Sequence, residues 1–545
     1  MKRTTPSTMR LAALLLLATA CRCAGLGAGR PAEEYISPEA RPALVIPSLV
    51  SLAEHLQAFM AAARGDVGAA ELTNVQAKLA QQLGFDPLTK DGLSSAGIDP
   101  RGSFGLGAEN GRAGGILAVP IGDAAKLDET IARLARDRAG AGVREERTVT
   151  SGGPDRVQLE RKQYPVVTYS KEAGGTPRVA TVKRGRHLLV GVGARALDQL
   201  LLAAALTPEL SLAQAKSYKA SLKPLGDRDL YVHWPAIEGD ALLSSPVALG
   251  VSVEERALSL RGVVAVPDEA RQRLAKLLPG GADTVMAKLP AGAPFYLRAG
   301  VDGAALAKEL GERERTRELV EKLRTAAAAG GVDLDKEFFG ALEPGLALSV
   351  GLSPTLHVAS AMDPNPSRNN PAEDFVLIAG ATVRDPATFK TTLEKLPALL
   401  PAVQGDLHTT QVEMEGAFVT TVSYERGELV GWLLDGNRLV VFSGIEGTEA
   451  LRRLREGTGP AEAAFAAAGR KVLAGPAGAA FGIDMASLYG SLQQLPPSAF
   501  GSGPSAFMAK SAMSGVLRSL SHLRAVVAVA PNPEGALLDV TVSMP

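Results

Sequence analysis

Residue types able to do chemistry are thinly spread along this chain. Histidines stand at 55, 187, 233, 357, 408 and 522, and no two take the H-x-H or H-x-x-x-H spacing that turns two imidazoles onto one metal ion. For a lone histidine such as His233, between Val232 and Trp234, a hydrogen-bonded structural role outweighs that of ligand or base. No G-x-S-x-G or H-E-x-x-H occurs, and both cysteines, Cys21 and Cys23, lie near the N-terminus, so the body has no thiol nucleophile, thiolate metal site or disulfide. Asp363, Asn365, Ser367, Asn369 and Asp374 space their oxygens in a faintly calcium-like way, but Arg368 stands where the loop turn needs glycine, and Pro364 and Pro366 stiffen it. Leu188-Leu-Val-Gly191-Val-Gly193-Ala-Arg-Ala196 reads G-x-G-x-x-A between a strand and a helix, a pattern that lets a pyrophosphate approach a helix N-terminus. Its strand is half of a hairpin and not the first strand of a parallel βαβ unit, which favours a plain strand-to-helix turn. Trp234 and Trp432 read as core aromatics, and Lys183-Arg184-Gly185-Arg186 as a solvated hairpin tip. No catalytic residue, cofactor or metal ligand is assigned, and the chain is not read as an enzyme.

One residue is given a chemical role, Cys21. Lys2, Arg3 and Arg10 lead into the apolar run Leu11–Leu17, too short to span a bilayer, and the small residues Ala18-Thr19-Ala20 precede the cysteine as at a signal-peptidase site. This stretch resembles the lipobox of bacterial lipoproteins. The resemblance implies that residues 1–20 are a signal peptide and that the Cys21 thiol takes a diacylglyceryl group and becomes the first residue of the mature chain. Ala18 departs from the usual Leu or Val, and Cys23 is the worse candidate because Arg22 precedes it. An ordinary secretory signal with an incidental Cys21 is the alternative. No Asp follows the cysteine, which resembles the context of lipoproteins that move on to the outer membrane. Whether the chain faces the periplasm or the cell surface stays open.

Composition bounds the remainder. The 545 residues allow two to four domains, and 46% hydrophobic against 21% charged residues are those of a folded protein. There are 58 basic and 58 acidic residues; losing residues 1–20 removes Lys2, Arg3 and Arg10 and no acid, so the mature chain is slightly acidic. Without a basic excess or an aromatic-basic stripe, nucleic acid is not an expected partner. No later apolar run is long enough to cross a membrane. Residues 21–42, rich in Gly, Ala, Pro and Glu, read as a lipidated tether.

The elements that would position any site recur. Val179–Gly193 lies without gaps over Val430–Gly444, with Gly185 and Gly436 each between two apolar runs, as at a β-hairpin turn. Leu197 and Leu200 then match Leu451 and Leu454. Gly115–Asp123 and the amphipathic segment after it match Phe375–Asp385 and its own; upstream, Ala43–Pro47 and Phe104–Gly107 match Phe295–Arg298, a helix near Ala304–Ala327, and Leu346–Gly351. Asp229–Trp234 pairs with Ala479–Asp484, and Ala257–Val266 with Ala536–Val542. The fold expected is α+β, two duplicated halves at 43–280 and 281–545 divided near Pro279-Gly-Gly281, each an antiparallel sheet packed with helices, with one sheet face partly open. The expected function is a non-catalytic binding or assembly module, anchored by lipid at the outer membrane, whose partner is an unknown envelope protein or an apolar ligand. A carrier of an apolar ligand or lipid, and an envelope hydrolase assembled from distant residues, are the rivals.

Overall fold

The computed structural model describes residues 30–544 except 63–66, 109–113, 151–161, 237–244, 265, 280–291, 354–355, 357–373, 404–407, 415–416, 425–426, 444–464, 466, 475–477 and 533–534. The expected signal peptide, Cys21 and residues 363–371 lie outside the described residues. The chain divides into two units, through Val266 and from Pro267. The division falls ahead of the expected Pro279-Gly280-Gly281, because the helix Asp268–Leu277 packs on elements of the second unit.

The first unit begins earlier than the sequence suggests. From Arg30 the expected tether is part of the fold, with a 3-10 turn at Ala32–Tyr35 and with Ala32, Tyr35 and Ile36 fully or almost fully buried. Its apolar side chains fill the space left by two glycines. A Cβ on Gly105 would meet Ile36 Cδ1 at 2.7 Å, and one on Gly107 would meet Ile36 Cγ2 at 3.0 Å.

The described strands that follow are β1 (Ala43–Ile46), β2 (Phe104–Ala108), β3 (Gly115–Pro120), β4 (Val143–Thr150), β5 (Gln163–Ser170), β6 (Val179–Arg184), β7 (His187–Val192), β8 (Leu230–Trp234), β9 (Val247–Glu254) and β10 (Ala257–Val264). They pair in the order β4-β5-β6-β7-β3-β2-β1-β8-β9-β10, every neighbour antiparallel. Helices α1 (Leu49–Ala62), α2 (Val67–Leu83) and α3 (Lys90–Ser95) connect β1 to β2, α4 (Ala124–Ala139) connects β3 to β4, and α5 (Ala196–Ala205) and α6 (Lys216–Leu225) connect β7 to β8. Along β7 successive side chains enter opposite cores, Leu188 and Val190 with Leu44 and Leu127, and Leu189 with Val182 and Leu200. Central strands are therefore covered on both faces. The open face expected from sequence is confined to the edge, where β4 alternates exposed and half-buried residues.

The second unit has strands β11 (Phe295–Ala299), β12 (Leu342–Leu352), β13 (Phe375–Val383), β14 (His408–Met414), β15 (Ala417–Tyr424), β16 (Gly427–Asp435), β17 (Arg438–Ser443), β18 (Ala479–Asp484), β19 (Arg524–Asn532) and β20 (Gly535–Ser543). Their order is β14-β15-β16-β17-β13-β12-β11-β18-β19-β20, again antiparallel throughout. Its described helices are α7 (Asp268–Leu277), α8 (Gly303–Glu312), α9 (Glu314–Ala329), α10 (Pro386–Val403), α11 (Ala467–Ala474), α12 (Met485–Gln494) and α13 (Pro504–Leu520). The single helix expected near Ala304–Ala327 is two, parted by Arg313 in an extended conformation. The architecture is α+β, as expected. Gly185 and Gly436 turn the β6–β7 and β16–β17 hairpins at φ of 58° and 60°, a conformation open to glycine at no steric cost. Among the described residues no helix is long and apolar enough to cross a membrane.

Candidate functional site

In the first unit a cleft of about 520 Å³ opens between the Ala32–Tyr35 turn, β1, α6 and β8. Strand alternation puts Val45 of β1 and Tyr231 of β8, a cross-strand pair, on the face turned to this cleft. Helix α6 supplies Tyr218, buried, and Lys223, exposed at the rim, while the N-terminal turn supplies Glu33. The Tyr231 hydroxyl donates to Gly226 O (2.8 Å) and accepts from Arg228 N (2.9 Å). The Tyr218 hydroxyl makes no hydrogen bond among the described residues, and burial, with Glu33 and Tyr231 nearby, pushes its ionisation well above the ordinary tyrosine range. Burial also raises the Glu33 carboxyl, against the pull of its own backbone N–H, and the neighbouring Glu34 adds to the rise. Tyr218 and Glu33 thus offer the cleft a hydroxyl donor and a carboxyl biased towards its neutral form, beside the Lys223 ammonium. Such a set recognises a small polar ligand by hydrogen bonds.

Behind Tyr218 lies His233, edge-on to its ring with centroids 5.6 Å apart. The hydrogen-bonded role expected of His233 is not observed, for both ring nitrogens are buried without a partner among the described residues. Burial alone lowers its pKa to about 4. His187 does take a structural bond: its Nε2 lies 2.9 Å from Ser103 O, which accepts only, so this nitrogen carries the proton. Burial lowers the pKa of His187 as well. His55 on α1 sets Nδ1 3.2 Å from Oδ1 of buried Asp229, whose other oxygen accepts from Val253 N at 2.7 Å. Ser51, one turn earlier on α1, has a buried Oγ with no hydrogen-bond partner. The dyad ties α1 to the sheet, and among the described residues no serine is in hydrogen-bond contact with the imidazole. His408 is exposed on β14, His522 is partly buried, and His357 lies outside the described residues. Among the described residues no three His, Cys, Asp or Glu gather as a metal site.

The other sequence candidates have structural places. Gly191 lies in β7 between antiparallel β3 and β6, and a Cβ there would meet Ala196 O at 2.0 Å, so this glycine lets α5 approach the sheet. At the basic tip, Lys183 pairs with Asp128 at 3.1 Å and the Arg184 guanidinium lies over Tyr164, so the tip is partly tied down. Trp234 and Trp432 pack at the edges of their cores. Nothing in the sequence flagged Glu33, Tyr218 or Lys223, which are far apart along the chain. The legible hint was Tyr231-x-His233, two polar rings on the same face of a short apolar strand.

No family model matches the chain, and no curated protein does. Two solved structures match, crystal forms IV and III of TP0453. Form IV is 12% identical at a TM-score of 0.23 over 48% of this chain and 94% of that one. Form III is 10% identical at 0.22 over 47% and 93%. At these scores the likeness carries no argument about fold or function.

Proposed function

We propose that this chain is a non-catalytic lipoprotein, anchored through Cys21 at the outer membrane, in which two copies of one α+β unit serve binding and the first unit holds the ligand. The cleft carries the binding reading, since it joins an unbonded Tyr218 hydroxyl and a raised Glu33 carboxyl on one small opening. The leader sequence supports the anchor. Against an apolar carrier, the cleft is edged by charged and hydroxyl groups, as is the second described cleft of this unit, lined by Glu39, Arg41 and Arg195.

Duplication is supported by the register as well as by the shared strand order. Leu189 stands four residues after Gly185 and Val440 four after Gly436; Ala118 stands five before the α4 cap Asp123 and Gly380 five before Asp385, which caps α10 in the same way. Ala118 pairs with Leu189, and Gly380 with Val440. The row Leu189, Ala118, Gly105, Val45, Tyr231 is thereby carried onto Val440, Gly380, Ala347, Arg298, Ala480. Where the first unit has the cleft residues Val45 and Tyr231, the second has Arg298 and Ala480, both buried, with Arg298 donating to Leu473 O. This position is filled in one copy and open in the other, which favours a single site.

Native mass spectrometry of the full protein, purified from its own membranes, tests the site. A non-covalent small-molecule mass is expected on the wild type and is expected to be lost from Tyr218→Phe and Glu33→Gln at unchanged melting temperature. A hydrolase screen on envelope substrates supplies the opposite outcome. Turnover abolished by His55→Ala, with folding intact, replaces the binding reading with the hydrolase.

A further inference from the structure

The connection from β8 to β9 in the first unit is the short Pro235–Pro246 stretch, whereas the corresponding β18-to-β19 connection in the second unit, Met485–Leu523, contains α12 and α13. Helix α13 is held by its inner side. Leu517 packs against the cluster of Leu356, Leu492, Leu495 and Ala499, and Lys510 Nζ donates to Gln493 O and Leu495 O at 3.0 and 2.6 Å.

Its outer side presents large apolar residues among small ones and the exposed Ser505 and Ser511, where an ordinary surface helix turns a charged face to water. Met508, Ala512, Val516 and Leu520 recur every fourth residue as one exposed stripe, and Phe507, about 100° around the helix from Met508, is exposed on the opposite flank from Val516. Phe507, Met508 and Val516 are 65%, 68% and 61% exposed, the largest values among the exposed large hydrophobics of the described residues. Between Pro504 and Leu520 the charged residues are Lys510, engaged on the inner side, and exposed Arg518 near the end of the stripe. From Met485 to Pro533 the sequence has no Asp or Glu, in a chain with 58 of them.

We propose that α13 is a lipid-surface element, lying in the plane of an anionic bilayer with Phe507, Met508 and Val516 in the headgroup–acyl boundary and Arg518 among the phosphates. The helix is about 26 Å long at 1.5 Å per residue. With Met508 outermost and Phe507 and Val516 on its two flanks, such a helix beds shallowly and keeps its inner side on protein. A stretch free of carboxylates meets lipid phosphate without repulsion, and the charge match selects an anionic bilayer over other apolar partners. The inference goes beyond the Cys21 anchor and does not rest on it.

The test uses the mature chain, residues 21–545, with Cys21→Ser, so that no acyl chain contributes. Co-sedimentation is measured with phosphatidylglycerol/phosphatidylethanolamine vesicles and with phosphatidylcholine vesicles. Binding is expected on the anionic vesicles, with binding to phosphatidylcholine clearly weaker. The triple variant Phe507→Ser, Met508→Ser, Val516→Ser is expected to weaken anionic binding by about tenfold or more, with its melting curve unchanged because the three side chains are exposed. In a Phe507→Trp variant, with Trp234 and Trp432 as constant background, added emission is expected to move to the blue on anionic vesicles. Absent wild-type binding, equal binding to both vesicle types, or undiminished binding by the folded triple variant would each overturn the proposal. A dimer that the triple variant abolishes, without vesicle binding, assigns the stripe to a second copy and overturns it too.

Discussion

His233 is an imidazole held neutral by its surroundings, with burial lowering its pKa to about 4. In the unfolded chain it titrates near the ordinary histidine value of about 6.5. Between those two pH values the unfolded state binds the extra proton, so the stability that the neutral ring contributes is complete above about 6.5 and is lost as pH falls towards 4. The size of that loss is about 3 kcal/mol. His233→Leu keeps an apolar side chain against Tyr218 and removes both unbonded nitrogens, so the variant is expected to lose less stability than wild type between pH 7 and pH 5 in urea unfolding. Parallel pH dependence in the two proteins would show that the ring is not the source. The sequence marks His233 as structural from its strand, but its edge-on packing on Tyr218 comes only with the return of α6 over the sheet. Glu33 and Lys223 were illegible for the same reason, because no local pattern links a residue of the N-terminal turn to one near the end of α6.

At the scale of elements, close approach decides which glycines matter. Gly191 lets α5 lie against β7, and a methyl group there runs into the Ala196 carbonyl, a backbone atom that cannot swing aside. Gly191→Ala is expected to cost about 2 kcal/mol or more through overpacking. Gly142, with nothing within 4 Å of its Cβ position, is the control, and Gly142→Ala is expected to stay within about 0.5 kcal/mol of wild type. Equal melting temperatures for the two variants would contradict the packing role and reopen the glycine pattern as a ligand site. The hairpins around Gly185 and Gly436 were legible because an apolar run, a glycine and a second apolar run are a local signal. The break at Arg313 was not, since Glu312–Lys322 keeps the composition of a good helix on both sides of it. Residues 30–42 misled for the opposite reason. Their Pro, Ala and Glu content is that of a linker, yet Ala32, Tyr35 and Ile36 find a sheet whose glycines leave them room.

For the whole molecule, the described residues form two α+β units with one strand order. The α+β class was readable because strand and helix periodicities alternate clearly along the chain. The pairing order was not, since β7 joins β3 across the β4–β6 insertion and β8 joins β1 across most of the first unit, and no local sequence signal encodes either pairing. Under the proposed anchor, one acyl-modified residue would concentrate the Glu33–Tyr218 cleft at the membrane surface, where the proposed ligand is to be sought. The diacylglyceryl group proposed for Cys21 would contribute about 0.8 kcal/mol per buried CH₂, enough for lasting attachment by more than one chain. The most direct measurement is the intact mass of the protein recovered from the membrane fraction of its own cells. The account predicts a polypeptide that starts at Cys21 and carries the added mass of a lipid on that residue, with Cys21→Ser failing to gain it. An unmodified Cys21, or a mature chain cut at another residue and recovered in the soluble fraction, would contradict it.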